Sequence, residues 1–206
     1  MTRIALGIAA LVGYVIHSAV HLQRGEPYDL LWGCHLAALL VGLGLLFRNA
    51  TLNAIGLLWS CFGIPLWLLD AMTGGEFMPT AILTHIGAFV IGIYGVRLLG
   101  MPRRSAWYAL ASYFGLWWLT RLITPPRANI NLAFHIQPGW ENHFPNYPVY
   151  FFTLLVGGAA TFVIAEPLTR RFAPPSPRFA GRGVSQQDPS PRLRGEGGRR
   201  PDEGHA

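Results

Sequence analysis

At 206 residues the chain has the length of one domain, and 51% hydrophobic residues against 13% charged is too apolar for an ordinary soluble fold. The formal charge of +6 comes from 16 basic residues, all Arg, which fall at the ends of apolar runs and in the tail. They do not form the cluster or stripe that a nucleic-acid surface needs, so nucleic acid is excluded as a partner.

In chain order, Arg3 precedes an apolar run, Ile4 to Leu22, that resembles a signal peptide but is too long and lacks a small-x-small cleavage site. It is predicted as the first helix, and the i,i+4 spacing puts His17 and His21 on one of its faces. The loop from Gln23 to Asp29 follows. Asp29 is the expected cap of a second helix, Leu30 to Phe47, about 18 residues and so close to a bilayer's thickness. That reading sets His35 at lipid depth. Arg48 to Asn53 reads as a polar turn, and the third helix as Ala54 to Leu69, kinked by Pro65. Asp70 then meets the negative end of the helix dipole and needs a cationic or hydrogen-bonding partner.

The fourth helix is expected over Ala81 to Leu99, with Thr80 as cap and His85 one turn inside. The fifth runs from Ala106 to Ile123, with Trp107, Trp117 and Trp118 near its ends, and finishes with Arg121 before Pro125-Pro126. A long connection, Arg127 to Asn146, holds Asn129, Asn131, His135, Trp140, Glu141, Asn142 and His143; loops of that length are often functional. The sixth helix starts at Tyr147-Pro148 with Asn146 as cap and ends near Ala165. Cys34 and Cys61 lie inside apolar runs and give neither a disulfide framework nor metal-type spacing. The expected organisation is therefore all-α, a polytopic membrane protein with six transmembrane helices over residues 1–172. Residues 173–206 form a Pro/Gly/Arg-rich tail, too poor in large apolar residues to bury a core and predicted to be disordered.

Arginine placement sets the orientation. Arg3, Arg48, Arg97, Arg103, Arg104, Arg170 and Arg171 fall on one side, and Arg24, Arg121 and Arg127 on the other. The positive-inside rule then puts both termini in the cytoplasm, as a multi-pass protein of a bacterial inner membrane. His17, His21, His35, His85, His135 and His143 all come to the outer side, as do Asp70, Glu76, Glu141 and Arg121. Intramembrane ionisable residues turn inward toward protein or a wet cavity, so a histidine-lined pocket open to the outer face is the economical reading.

Three stretches, Leu31-Trp32-Gly33-Cys34-His35-Leu36-Ala37, Thr84-His85-Ile86-Gly87 and Phe144-Pro145-Asn146-Tyr147-Pro148-Val149-Tyr150, together with Asn129 to Asn131, follow the motif order of a known family. Over Asp29 to Phe162 the chain resembles the YwaF-type six-helix integral membrane proteins of bacteria, which are related to a eukaryotic acyltransferase that remodels ether phospholipids. The resemblance implies a lipid substrate, with His35 and His85 as the functional histidines and Asn131 and Tyr147 in the substrate site. The family's cysteine, two residues after the helix-2 histidine, falls at Ala37 here. Cys34 precedes His35 and points about 100° away, so the chain departs from the family at the residue that would carry a thioester.

Three readings stand. The first is a membrane enzyme acting on a lipid or other apolar small molecule, with His35 and His85 as general acid and base, Arg121 holding a phosphate or carboxylate, and Asp70 in the substrate site. The second is a metal-binding or transport protein with His17, His21, His35 and His85 as imidazole ligands and Asp70 as a carboxylate, although no HExxH or CxxC signature occurs. The third is a membrane protein without enzymatic activity. The sequence specifies no cofactor.

Overall fold

A computed structural model describes residues 2–173, and over that range the chain is all-α. The six helices are α1 (Thr2–Gln23), α2 (Gly33–Leu46), α3 (Ala50–Met72), α4 (Ala88–Leu99), α5 (Ser105–Ile123) and α6 (Tyr147–Arg170). A π-helical turn, Leu83–Gly87, runs directly into α4. The predicted disorder of the tail falls outside the described residues from 174 on. Three helices, α1, α3 and α6, are long and apolar enough to cross a membrane, while α2 and the Leu83–Leu99 segment are shorter apolar helices. Large apolar side chains point outward from α1 (Ile8, Val12, Val15) and α6 (Phe152, Val163, Ile164), where a soluble protein would carry charge.

The helix ends follow local chemistry. Asn49 caps α3, accepting from Thr51 N and Leu52 N, and Asn146 caps α6, accepting from Val149 N, as expected for α6. The start of α5 has no such residue of its own. The Glu166 carboxylate reaches across from α6 and accepts from Arg104 N at 3.2 Å and Ala106 N at 2.7 Å, and Arg170 pairs with the same carboxylate. At the opposite end of α1, Arg3 donates to the Leu45 and Leu46 carbonyls that end α2.

The central helix is α3, which packs against α2, α4, α5 and α6. Its first half, Asn53 to Ser60, is buried throughout. Close approach to α2 depends on two glycines: a Cβ on Gly56 would lie 2.6 Å from the Ala37 carbonyl oxygen, and one on Gly44 2.5 Å from Asn53 N. On the other flank Trp59, Phe62 and Phe162 form the main apolar core with Leu58, Ala109 and Leu116, and the Trp59 indole donates to the Ala109 carbonyl at 3.0 Å.

Four boundaries differ from expectation. Leu30 and Leu31 belong to a 3₁₀ turn, Pro27–Leu31, and α2 begins only at Gly33. Asp29 therefore does not cap it. Asn53 is not in a turn but inside α3, fully buried and donating to the Gly92 carbonyl at 3.1 Å. α3 continues through Pro65 as one helix and past Leu69, so Asp70 lies within its last turn; the proline costs the Cys61 carbonyl its helical partner without ending the helix. α6 extends to Arg170 because Thr169 and Arg170 have partners there, the Ala165 and Pro102 carbonyls.

Replacing Gly56 by Ala should lower stability by about 1–3 kcal/mol, since the methyl meets rigid backbone. Gly115→Ala, whose Cβ meets nothing within 4 Å, should raise it by about 0.5–1 kcal/mol. Thermal unfolding of the purified protein in detergent compares the two.

Candidate histidine site

Four histidines come together where α1 ends, α2 begins and the π turn leads into α4. His17 and His21 lie on α1, His35 is the third residue of α2, and His85 lies in the π turn. All four are buried, between 2% and 7% exposed. Ring centroids are 4.3 Å apart for His17 and His35, 4.7 Å for His17 and His21, 5.1 Å for His21 and His35, and 6.4 Å for His35 and His85. His17, His35 and His85 thus meet at one end of the bundle, His35 in the first turn of its helix.

Each ring is fixed through Nδ1. His35 Nδ1 lies 2.6 Å from the Asp29 carbonyl, and His85 Nδ1 2.9 Å from the Ala81 carbonyl. His21 Nδ1 meets Glu26 Oε2 at 2.9 Å and Asp29 Oδ2 at 3.2 Å. Carbonyl and carboxylate oxygens only accept, so Nδ1 is the donor in all three rings, and His35 and His85 keep the lone pair on Nε2. His35 Nε2 lies 2.8 Å from His17 Nε2. His17 must be the donor of that bond, leaving its Nδ1 to accept from the Thr80 hydroxyl at 2.8 Å. Thr80 was expected to cap α4; its hydroxyl is spent on His17 instead. Trp67 stacks on His85 with centroids 4.6 Å apart and 22° between planes, which fixes the remaining freedom of that ring.

The surrounding charges are acidic. Burial pushes the Asp29 carboxyl up from the ordinary carboxylate range, against the pull of His21. Glu76 lies outside the cluster on the exposed surface, where the Arg24 guanidinium, 2.7 Å away, holds its carboxyl below the usual value. An exposed pair of that kind contributes little to stability.

The cluster lines a cavity of about 280 Å³. Trp59, Phe62, Leu66 and Tyr113 also line it, so the space is bounded by imidazoles together with aromatic and aliphatic surface. Asp70 lines it, held by Gln137 Nε2 at 3.0 Å, which supplies the hydrogen-bonding partner expected for it. Asn131 lines it as well, but its amide is engaged: Oδ1 accepts from Gly33 N at 2.7 Å and Nδ2 donates to the Leu31 carbonyl at 2.9 Å. Arg121 and Tyr147 do not line this cavity. Arg121 is exposed, donates to the Ala133 carbonyl and lies over the Trp117 and Phe134 rings; the Tyr147 hydroxyl donates to the Leu132 carbonyl at 3.1 Å. His135 and His143 are exposed in the connection between α5 and α6. Cys34 faces the cavity and Gly63, whereas Ala37 is fully buried against α3.

Glu26, Asp29, Thr80, Trp67 and Tyr113 are site residues that sequence reasoning missed. The signal for the first two was present, since a loop only six residues long after Gln23 must double back over the last turn of α1 and its histidines. Comparison of the chain with protein-family models, with curated proteins and with solved structures returned no match. Its chemistry is read from the site itself.

Asn131→Ala should cost at least about 2 kcal/mol, because two backbone groups are orphaned at about 1–3 kcal/mol each. Tyr147→Phe, which removes one hydrogen bond, should cost about 1 kcal/mol. Equal thermal midpoints for the two variants would show that the amide does not hold the start of α2.

Proposed function

We propose that this is an integral membrane enzyme with six spans and cytoplasmic termini, acting on a lipid or other apolar small molecule in a cavity open to the outer face of a bacterial inner membrane. The observation that carries the reading is the cavity's mixed lining: His35 and His85 face one space that is also walled by aromatic and aliphatic side chains. Pockets for small molecules are mostly apolar with a few convergent polar groups, and this one has that composition. An amphipathic substrate would lie with its polar group among the imidazoles and its apolar part against Trp59, Phe62 and Tyr113.

His85 is the better-placed general base. Its Nε2 carries the lone pair and has no hydrogen-bond partner among the described residues, while Trp67 and the Ala81 carbonyl hold the ring. His35 is linked through His17 to Thr80, a chain along which a proton can pass. Acyl-transfer-like chemistry and membership of the YwaF-type family belong to the same proposal. A Cys34 thioester does not, since among the described residues no side chain is hydrogen-bonded to its thiol. Arg121 and Tyr147, with their polar groups already engaged, are better suited to the rim than to the reacting centre.

Reporter fusions test the orientation: periplasmic reporters after Gly74 or Trp140 should be active, and those after Asn49, Arg104 or Phe172 silent. The reverse pattern would move the cavity to the cytoplasmic face. For the chemistry, lipid extracts of cells with and without the gene should differ, and His35→Ala or His85→Ala should each abolish the difference while the protein still accumulates and unfolds at or above the wild-type temperature. The double variant should be no worse than either single one. Loss of effect only in proportion to lost folded protein would reduce both histidines to packing residues.

A further inference from the structure

We infer that His17, His21 and His35 form a binding site for a divalent first-row transition ion of the zinc class, with its open coordination position directed into the cavity. One ring nitrogen of each histidine lies within 4.8 Å of the others. The nitrogens available are the Nε2 atoms, because every Nδ1 has a partner outside the group: Thr80 Oγ1 for His17, the Asp29 carbonyl for His35, and the Glu26 and Asp29 carboxylates for His21. A metal-binding histidine needs that second set of contacts, which fixes the ring and raises the basicity of the nitrogen facing the ion. Three buried imidazoles each braced from behind, His21 and His35 by acceptors and His17 by the Thr80 hydroxyl, are costly to assemble for packing alone.

The geometry is close to what a metal requires. Metal–nitrogen bonds of about 2.0–2.1 Å in a tetrahedron place the nitrogens about 3.3 Å apart. The His17 and His35 Nε2 atoms are 2.8 Å apart and share one proton. An ion would occupy the lone pairs on both sides of that bond, with the His17 proton moving to Nδ1, where Thr80 Oγ1 accepts it. His21, still held by its carboxylates, offers its nitrogen within 4.8 Å of both. Behind it, Glu26 and Asp29 supply the negative charge that offsets the ion. Three neutral nitrogens and no thiolate favour zinc and its divalent neighbours over soft copper(I), since Cys34 is not among the grouped ligands. Asp70, held by Gln137, is not among them either, and His85 remains free beside the open position. The role of that position rests on reading the cavity as the reaction site: an ion held by His17, His21 and His35 would supply Lewis acidity beside the His85 base. Binding of the ion does not depend on that reading.

The test uses the full chain without a polyhistidine tag, purified in detergent, stripped with a chelator and titrated with zinc, and with cobalt(II) as a visible probe. One ion per chain should bind, cobalt should give the intense absorption of a tetrahedral site, and the thermal midpoint should rise with zinc concentration. His17→Ala, His21→Ala and His35→Ala should each weaken binding more than tenfold, and Glu26→Gln by about tenfold. His85→Ala and the double exchange His135→Ala with His143→Ala should bind as wild type does. If the folded wild-type chain binds no ion, or if only the loop histidines affect binding, the site is refuted. Because His85→Ala removes the base and keeps the ion, a failed lipid result with intact metal binding would sink the proposed activity alone.

Discussion

The helix α2 starts inside the protein, and everything at the site depends on how that start is made tolerable. With 14 residues it is about 21 Å long, some 9 Å short of a bilayer's hydrocarbon thickness. A helix N-terminus has four N–H groups without intrahelical partners, and Gly33 and His35 in this first turn are buried. Asn131 answers part of the need from another loop, taking the Gly33 N–H and giving its own to the Leu31 carbonyl. Asn131 adopts a left-handed backbone, φ 54°, a conformation that asparagine accepts more readily than most residues. The connection between α5 and α6 is thereby drawn in over the bundle, where Trp140 is buried and donates to the Thr73 hydroxyl at 2.9 Å.

The room left above the short helix is what the histidines fill. Pro27–Leu31 bridges the missing turn and presents the Asp29 carbonyl to His35 and the Asp29 carboxylate to His21. One residue thus braces two rings through different atoms. Burial of imidazoles is tolerable because each ring finds a partner for its Nδ1, and the cost that remains falls on the Nε2 atoms facing the cavity. Stability and function pull against each other at those atoms, as is usual where polar groups are gathered for chemistry.

Hydrophobic runs made the six helices and their order legible, and Asn146 with Pro148 marked the start of α6 to the residue. The placement of His17, His35 and His85 at one end followed from alternating the direction of successive helices. The start of α2 was not legible, because Leu30, Leu31 and Trp32 are apolar in either a 3₁₀ turn or an α-helix and the deciding contact comes from Asn131, about a hundred residues away. Asn53 read as a turn residue because polarity predicts exposure; it is instead buried, with its Nδ2 donating to the Gly92 carbonyl. Glu166 carried no local signal, since it caps a helix other than its own. Arg121 was assigned by charge alone, and two aromatic rings hold it outside the cavity.

The π turn at Leu83–Gly87 holds one more residue than α-helical winding would, and His85 lies at its centre. Such a turn is equivalent to a single-residue insertion into an ordinary helix, after which each side keeps its own packing: Leu83 against Gly13, Gly92 against Leu57. In genetic terms the fourth histidine is separable from the scaffold by one codon. Removing a residue there would rewind the helix and turn His85 by about 100° away from the cavity, leaving the His17, His21 and His35 group in place. A lineage could therefore gain or lose the base beside that group without rebuilding the bundle.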